Sequence, residues 1–210
     1  MKFNLLLILV VIFYSCKKTD TIIHTDILKN GDIIFQTSQS AQSKAIQAAT
    51  HSKYSHCGII YKEGSDYFVF EAVQPVKKTP LDEWIDRGKD GLYAVRRLKD
   101  ADRILTPQAL AKMKASAKAM TGKNYDLYFE WSDNRIYCSE LVWKIYKDGT
   151  GLELGHLQEL KDFDLSNPVV KAKLQERYGH NIPVNEKVIS PADIYESELL
   201  ETIVGEYKAP

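Results

Sequence analysis

Two apolar runs, SHCGIIY (55–61) and YFVFEAV (67–73), read as strands, and the polar KEGSD between them carries hairpin-turn chemistry. Upstream, GDIIF (31–35) is a turn feeding a short strand. SQSAQSKAIQAAT (38–50) has the spacing of a short helix with Ile46 and Ala49 turned inward. TPLDEWID (79–86) is a helical turn, and LYAVRRL (92–98) is a third alternating strand. TPQALAKMKASAKAM (106–120) is punctuated as a helix, with Pro107 near its start and Gly122 after its end. In DNRIYCSELVWKIY (133–146) the apolar positions Leu141, Val142 and Ile145 fall three, four and seven residues after Cys138, one face of a helix, with Asn134 as its expected cap. Residues 148–187 carry the weakest pattern, with a helix-like NPVVKAKLQERYG. SPADIY (190–195) is a short capped helix, and LLETIVGEY (199–207) closes the chain as a strand. This order predicts an α+β fold with an antiparallel sheet.

The first sixteen residues stand apart. Lys2 is followed by an almost unbroken apolar run from Phe3 to Phe13, then by Ser15 and Cys16. The run is short for a membrane span and has the order of an export signal. A cysteine directly after a small residue resembles a bacterial lipobox, which makes Cys16 the expected lipid anchor; an ordinary secretory signal or a short membrane helix is the alternative. The chain then divides into a signal peptide (1–15), an anchor and tether (16–27) and one folded domain (28–210). The mature protein is expected on an envelope membrane, facing the periplasm or the cell surface. The chain has 28 basic and 28 acidic side chains, and loss of Lys2 leaves a balance of −1. No basic surplus points to nucleic acid as a partner. With 44% hydrophobic and 10% aromatic residues, it can build a real core. Only Cys57 and Cys138 remain beyond the signal, so a disulfide-dense scaffold is excluded, and a single bridge between them stays open.

Cys138 at a helix start sees the positive end of the dipole, which favours thiolate over thiol. Such a nucleophile needs a base and a group to orient that base. Of the five histidines, His24 lies in the tether, His51 in a polar loop, and His156 and His180 beside glycines in the weakly patterned region. His56 alone enters a strand. If the hairpin turns at Glu63-Gly64, His56 lies directly opposite Glu71; a loop two residues longer makes them diagonal neighbours on one face. The pair is expected to face the Cys138 helix, with Cys57 turned away into apolar packing. Glu71 sits amid apolar residues, where an unpaired carboxylate is costly. It either orients the imidazole or pairs with an arginine such as Arg96 or Arg97. A His-Cys neighbour pair without C-x-x-C or H-E-x-x-H is a poor ligand set, so neither a metal nor a cofactor is expected.

The segments GDIIF, YSHCGII, FEAV and YCSELVWKIY, in that order, resemble the circularly permuted NlpC/P60 cysteine hydrolases of the YiiX/YebB type. The histidine strand precedes the cysteine helix, which is the permuted order. The resemblance implies a papain-like fold in which Cys138 matches the nucleophile, His56 the base and Glu71 the orienting residue. The backbone N–H of Cys138 is the expected oxyanion donor, and Tyr54 a candidate for substrate contact. Substrates implied by the family are amides of cell-wall peptides or lipid-linked amides and esters. An acyltransferase or lipid esterase with the same triad, and a non-catalytic lipoprotein that binds peptide or lipid, are the alternative readings.

Overall fold

The computed structural model describes residues 25–207, so Cys16 and the apolar run before it lie outside the described residues. In chain order the elements are β1 (Ile33–Ser38), α1 (Ala41–Thr50), β2 (His56–Glu63), β3 (Asp66–Glu71), β4 (Lys77–Pro80), α2 (Leu81–Asp86) and β5 (Gly88–Leu98). Then follow α3 (Ala101–Ile104), α4 (Pro107–Met120), β6 (Asn124–Tyr125), β7 (Arg135–Ile136) and α5 (Cys138–Thr150). The chain closes with β8 (Gln158–Glu159), α6 (Pro168–Tyr178), β9 (Lys187–Val188), α7 (Pro191–Tyr195) and β10 (Leu200–Tyr207).

Six strands form one sheet in the order β10-β5-β1-β2-β3-β4, every neighbouring pair antiparallel. The α+β class with an antiparallel sheet against the cysteine helix is therefore as the sequence predicts. The sheet is covered on both faces, which explains why its central strands read as near-continuous apolar runs. On one face, Ile33, Phe35, Ile59 and Phe70 share a core with Leu141, Val142 and Ile145 of α5 and Met113 of α4. On the other, Ile34, Ile60, Val69 and Val95 pack against Leu81, Trp84 and Ile85 of α2. At Gly149 a Cβ would stand 2.2 Å from Met113 Cγ, so only glycine lets α4 and α5 approach this closely.

Several local expectations hold for the stated reasons. Pro107 opens α4, where the structure adds a cap by the Thr106 side chain, and the Ser190 side chain accepts from the Asp193 N–H at the start of α7. Others shift. Asn134 does not cap α5; the cap position is Tyr137, because Arg135 and Ile136 are drawn into β7, where they pair in parallel with β6. In α1 the fully buried positions are Ser43 and Ala45, while Ile46 and Ala49 are half-buried. The weakly patterned stretch holds α6, whose Val170 and Leu174 are buried.

Candidate active site

The β2–β3 turn falls at Gly64-Ser65, with Glu63 opposite Asp66 and Ile59 opposite Phe70. His56 and Glu71 are thus diagonal neighbours, the second of the two registers the hairpin allowed. His56 opens β2, Glu71 ends β3 and Cys138 opens α5, so all three stand at element ends and meet beside the rim of the sheet. Gly58 keeps the hairpin tight there, since a Cβ would lie 2.4 Å from Val69 Cγ1 and 2.8 Å from the Phe70 carbonyl oxygen.

Glu71 is wholly buried, and its two oxygens are saturated with donors. Oε2 lies 2.6 Å from His56 Nε2 and accepts from Trp84 Nε1 at 2.9 Å. Oε1 accepts from the Thr79 hydroxyl and from Arg87, each at 2.6 Å. Burial alone would push this carboxyl up, but His56, Thr79 and Arg87 overcome it and bring its pKa down to about 2. The arginine is Arg87, not Arg96 or Arg97. Arg97 pairs with Asp32 at 2.7 Å, and Arg96 donates to the Leu200 carbonyl. Glu71 therefore makes both contacts the sequence set against each other, one with an arginine and one with the imidazole.

The His56 ring stacks on Trp84, with centroids 5.8 Å apart. Burial works to lower its pKa, yet hydrogen bonds to Cys138 and Glu71 and their charges raise it to about 9. Nε2 is committed to Glu71, which leaves Nδ1 as the nitrogen free to serve the sulfur. Cys138 is held well below the usual thiol range, first by a hydrogen bond from the Cys57 thiol and then, against its own burial, by His56. The backbone N–H of Cys57 also reaches the sulfur. Burial, reinforced by the Cys138 thiolate, pushes the Cys57 thiol the other way.

The faces differ from expectation. His56 and Glu71 point with Trp84 toward α2, and Cys57 points toward α5, into the core that contains Cys138. Strict alternation separates neighbours as predicted, but α5 begins at the rim, where its first residue meets both sides. Cys57 is consequently a partner of Cys138 and not a bystander. Both cysteines are free thiols.

Tyr125 was not legible as a site residue. β6 sets it opposite Ile136, two residues before Cys138, and its hydroxyl reaches the sulfur. Gln42 Nε2 donates to the same hydroxyl at 3.2 Å, and Gln42 in turn accepts from Arg177. A two-residue strand has no periodicity to detect, so only the tertiary pairing exposes Tyr125. Tyr54 is buried against Phe35 and Tyr195, with centroids 5.8 and 4.3 Å away, apart from the cavity that opens beside Cys138. That cavity lies between α1, α6 and the start of α5.

A helix-borne cysteine beside a strand-borne histidine, on an antiparallel sheet, defines the class of papain-like folds. The chain belongs to the family of permuted papain-like amidases described as YaeF/YiiX, C92, whose model matches residues 27–204. It is 50% identical over 179 residues to the uncharacterized protein YiiX of Escherichia coli (strain K12), covering 85% of this chain and 87% of that one. A crystal structure described as metalloprotein yiiX from Escherichia coli O157:H7 is 51% identical and superposes with a TM-score of 0.81, over 85% of this chain and 98% of that one.

Proposed function

We propose that this protein is a lipid-anchored cysteine amidase with Cys138 as nucleophile, His56 as acid–base and Glu71 as the group that orients it. One arrangement carries the reading: the His56 ring bridges the buried Glu71 carboxylate and the Cys138 sulfur. The opposed shifts of His56 and Cys138 favour a resting imidazolium–thiolate pair. The sulfur attacks the amide carbon, forming a C–S bond while the carbonyl electrons move onto oxygen. The Cys138 N–H and the Tyr125 hydroxyl are the donors for that oxygen. Collapse breaks the C–N bond, and the imidazolium gives its proton to the departing amine. Water then loses a proton to His56 as its oxygen bonds the acyl carbon. The C–S bond breaks, a carboxylic acid leaves, and the ion pair is restored.

The substrate in this reading is an amide of a cell-wall peptide or of a lipid-linked molecule. Lipidated Cys16 holds the enzyme on the envelope membrane, facing the periplasm or cell surface. The motivation for the anchor is the charged, apolar, small-residue, cysteine order of residues 1–16. Among the described residues, no helix is long and apolar enough to cross a membrane.

The word metalloprotein in the relative's description finds no ligand set here. No three His, Cys, Asp or Glu side chains converge among the described residues, and both Glu71 oxygens are occupied by donors. The described residues do not fit a metal, and the steps above use the protein's own groups and water.

A thiol-directed activity probe tests the reading. It should label wild type and Cys57→Ala but not Cys138→Ala, and amide turnover should vanish with the label. A folded wild-type protein that the probe leaves unmodified at Cys138 would overturn it.

A further inference from the structure

A second cleft opens away from Cys138, between α4 and the edge of the sheet formed by β2, β3 and β4. Tyr61 and Phe70, both buried, form its floor. Four exposed lysines stand around it, Lys77 and Lys78 from β4 and Lys114 and Lys118 from α4. Among the described residues that line it, Glu63 is the one acid. Glu63 pairs closely with Lys78 and more loosely, at 3.6 Å, with Lys114. No carboxylate among the described residues pairs with Lys77 or Lys118. Four lysines against one glutamate leave the cleft three positive charges in excess, although the chain as a whole is balanced.

Lys77 and Lys78 alone would be ordinary protection for an edge strand, since β4 ends the sheet. Lys114 and Lys118 need another reason. They lie four residues apart on one face of α4, where like charges repel and weaken a helix. Two elements distant in sequence thus gather cations over an apolar floor, with one carboxylate to share. Lysine ammoniums act as point charges for phosphate, and the stems and rings between them suit the apolar part of an amphiphile.

The chain enters the fold beside this cleft. The Asn30 side chain accepts from the Lys62 N–H at 2.7 Å, and the Gly31 N–H donates to the Ile60 carbonyl at 3.0 Å, on either side of Tyr61. A Cβ on Gly31 would stand 3.7 Å from Leu110 Cδ2, one helical turn before Lys114. Eight residues separate Cys16 from Thr25, the first described residue, and fully extended they reach about 30 Å. A lipid on Cys16 therefore keeps this end of the sheet close to a membrane.

We propose that this cleft is the face on which the protein rests against an anionic phospholipid membrane, with a lipid phosphate seated among Lys77, Lys78, Lys114 and Lys118. The orientation rests on the Cys16 anchor reading; the cation cluster does not. Negative lipid attracts such a cluster within a Debye length of the surface, and salt loosens the contact.

The test is sedimentation with vesicles of phosphatidylglycerol in phosphatidylcholine, compared with phosphatidylcholine alone. The protein is residues 16–210 carrying Cys16→Ser, which keeps every described residue and has no lipid to hold it. It should bind the anionic vesicles, leave them as salt rises, and ignore the neutral ones. Lys77→Ala and Lys118→Ala should each weaken binding about fivefold. Lys112→Ala, on α4 but outside the cleft, should change it little. Glu63→Gln should strengthen binding, a direction that loss of folding does not imitate. Indifference to anionic lipid, or equal losses from Lys112→Ala and Lys118→Ala, overturns the proposal. Inorganic phosphate bound in isothermal titration and lost in the lysine variants, without vesicle binding, overturns it in favour of a free-phosphate site. The assay contains no acyl anchor, so its failure leaves the Cys16 reading standing, and an unlipidated Cys16 leaves the lipid contact of the cleft standing.

Discussion

His56 Nε2 and Glu71 Oε2 stand 2.6 Å apart, yet the two residues are not paired across the hairpin. They are joined diagonally, from the first residue of one strand to the last of the next. The geometry holds because Glu71 is fixed from three other directions by Thr79, Trp84 and Arg87. An imidazole against such a carboxylate has its tautomer set and its charged form supported.

The three residues should therefore rank by what their chemistry demands. Cys138→Ser should lose nearly all turnover, because a hydroxyl is far less ionised than a thiol at neutral pH. His56→Ala should be almost as damaging, since it removes both the base and the later proton donor. Glu71→Gln keeps the size and an acceptor, so a loss on the order of a hundredfold is expected. Steady-state kinetics of the single and double variants should show effects that do not add.

The pH profile carries a sign. The raised His56 pKa keeps imidazolium present below about 9, so activity that depends on it should fall as pH rises through about 9. In Glu71→Gln that alkaline limb should move to lower pH. Part of the rise should persist, because the Cys138 thiolate still supports the ring. A profile identical to wild type would make Glu71 a structural carboxylate.

Cys57 should tune the nucleophile without performing the reaction. Its thiol gives Cys138 the leading hydrogen bond that lowers the sulfur's pKa. In Cys57→Ala the pH midpoint for iodoacetamide alkylation of Cys138 should rise. Loss of a fully buried sulfur should also cost about 1 kcal/mol in denaturant unfolding. An unchanged midpoint would leave Cys57 as packing alone.

For the anchor, Cys16→Ser should leave the membrane fraction and keep its signal peptide uncleaved by lipoprotein processing. Fractionation with intact-mass analysis reads both. A variant that stays membrane-bound would show that something other than Cys16 holds it.

Most of the sheet and the cysteine helix are legible because period and punctuation agree, as in Leu141, Val142 and Ile145 or in Thr106-Pro107. His56 and Glu71 are legible as a pair because any even hairpin loop keeps them on one side. The side itself is not. Which face α5 covers depends on packing far along the chain, and Cys57 lands against Cys138 for that reason. Asn134 looked like a cap because capping chemistry is local, whereas the β6–β7 pairing that displaces it is tertiary. Tyr125 and Gln42 were hidden for the same cause: one lies on a two-residue strand, the other in a polar helix turn.

Tyr125 gives the last prediction. Its hydroxyl accepts from Gln42, so its own proton is free to point at the sulfur in the resting site and at the oxyanion once sulfur attacks. Tyr125→Phe removes that donor and leaves the ring's volume. A lost oxyanion donor costs about a hundredfold or more in kcat, with little change in KM. Alkylation by iodoacetamide builds no oxyanion, so the rate of labelling at Cys138 should stay close to wild type. Turnover and labelling that fell together would assign Tyr125 to holding the thiolate, and turnover that did not fall would remove it from the site.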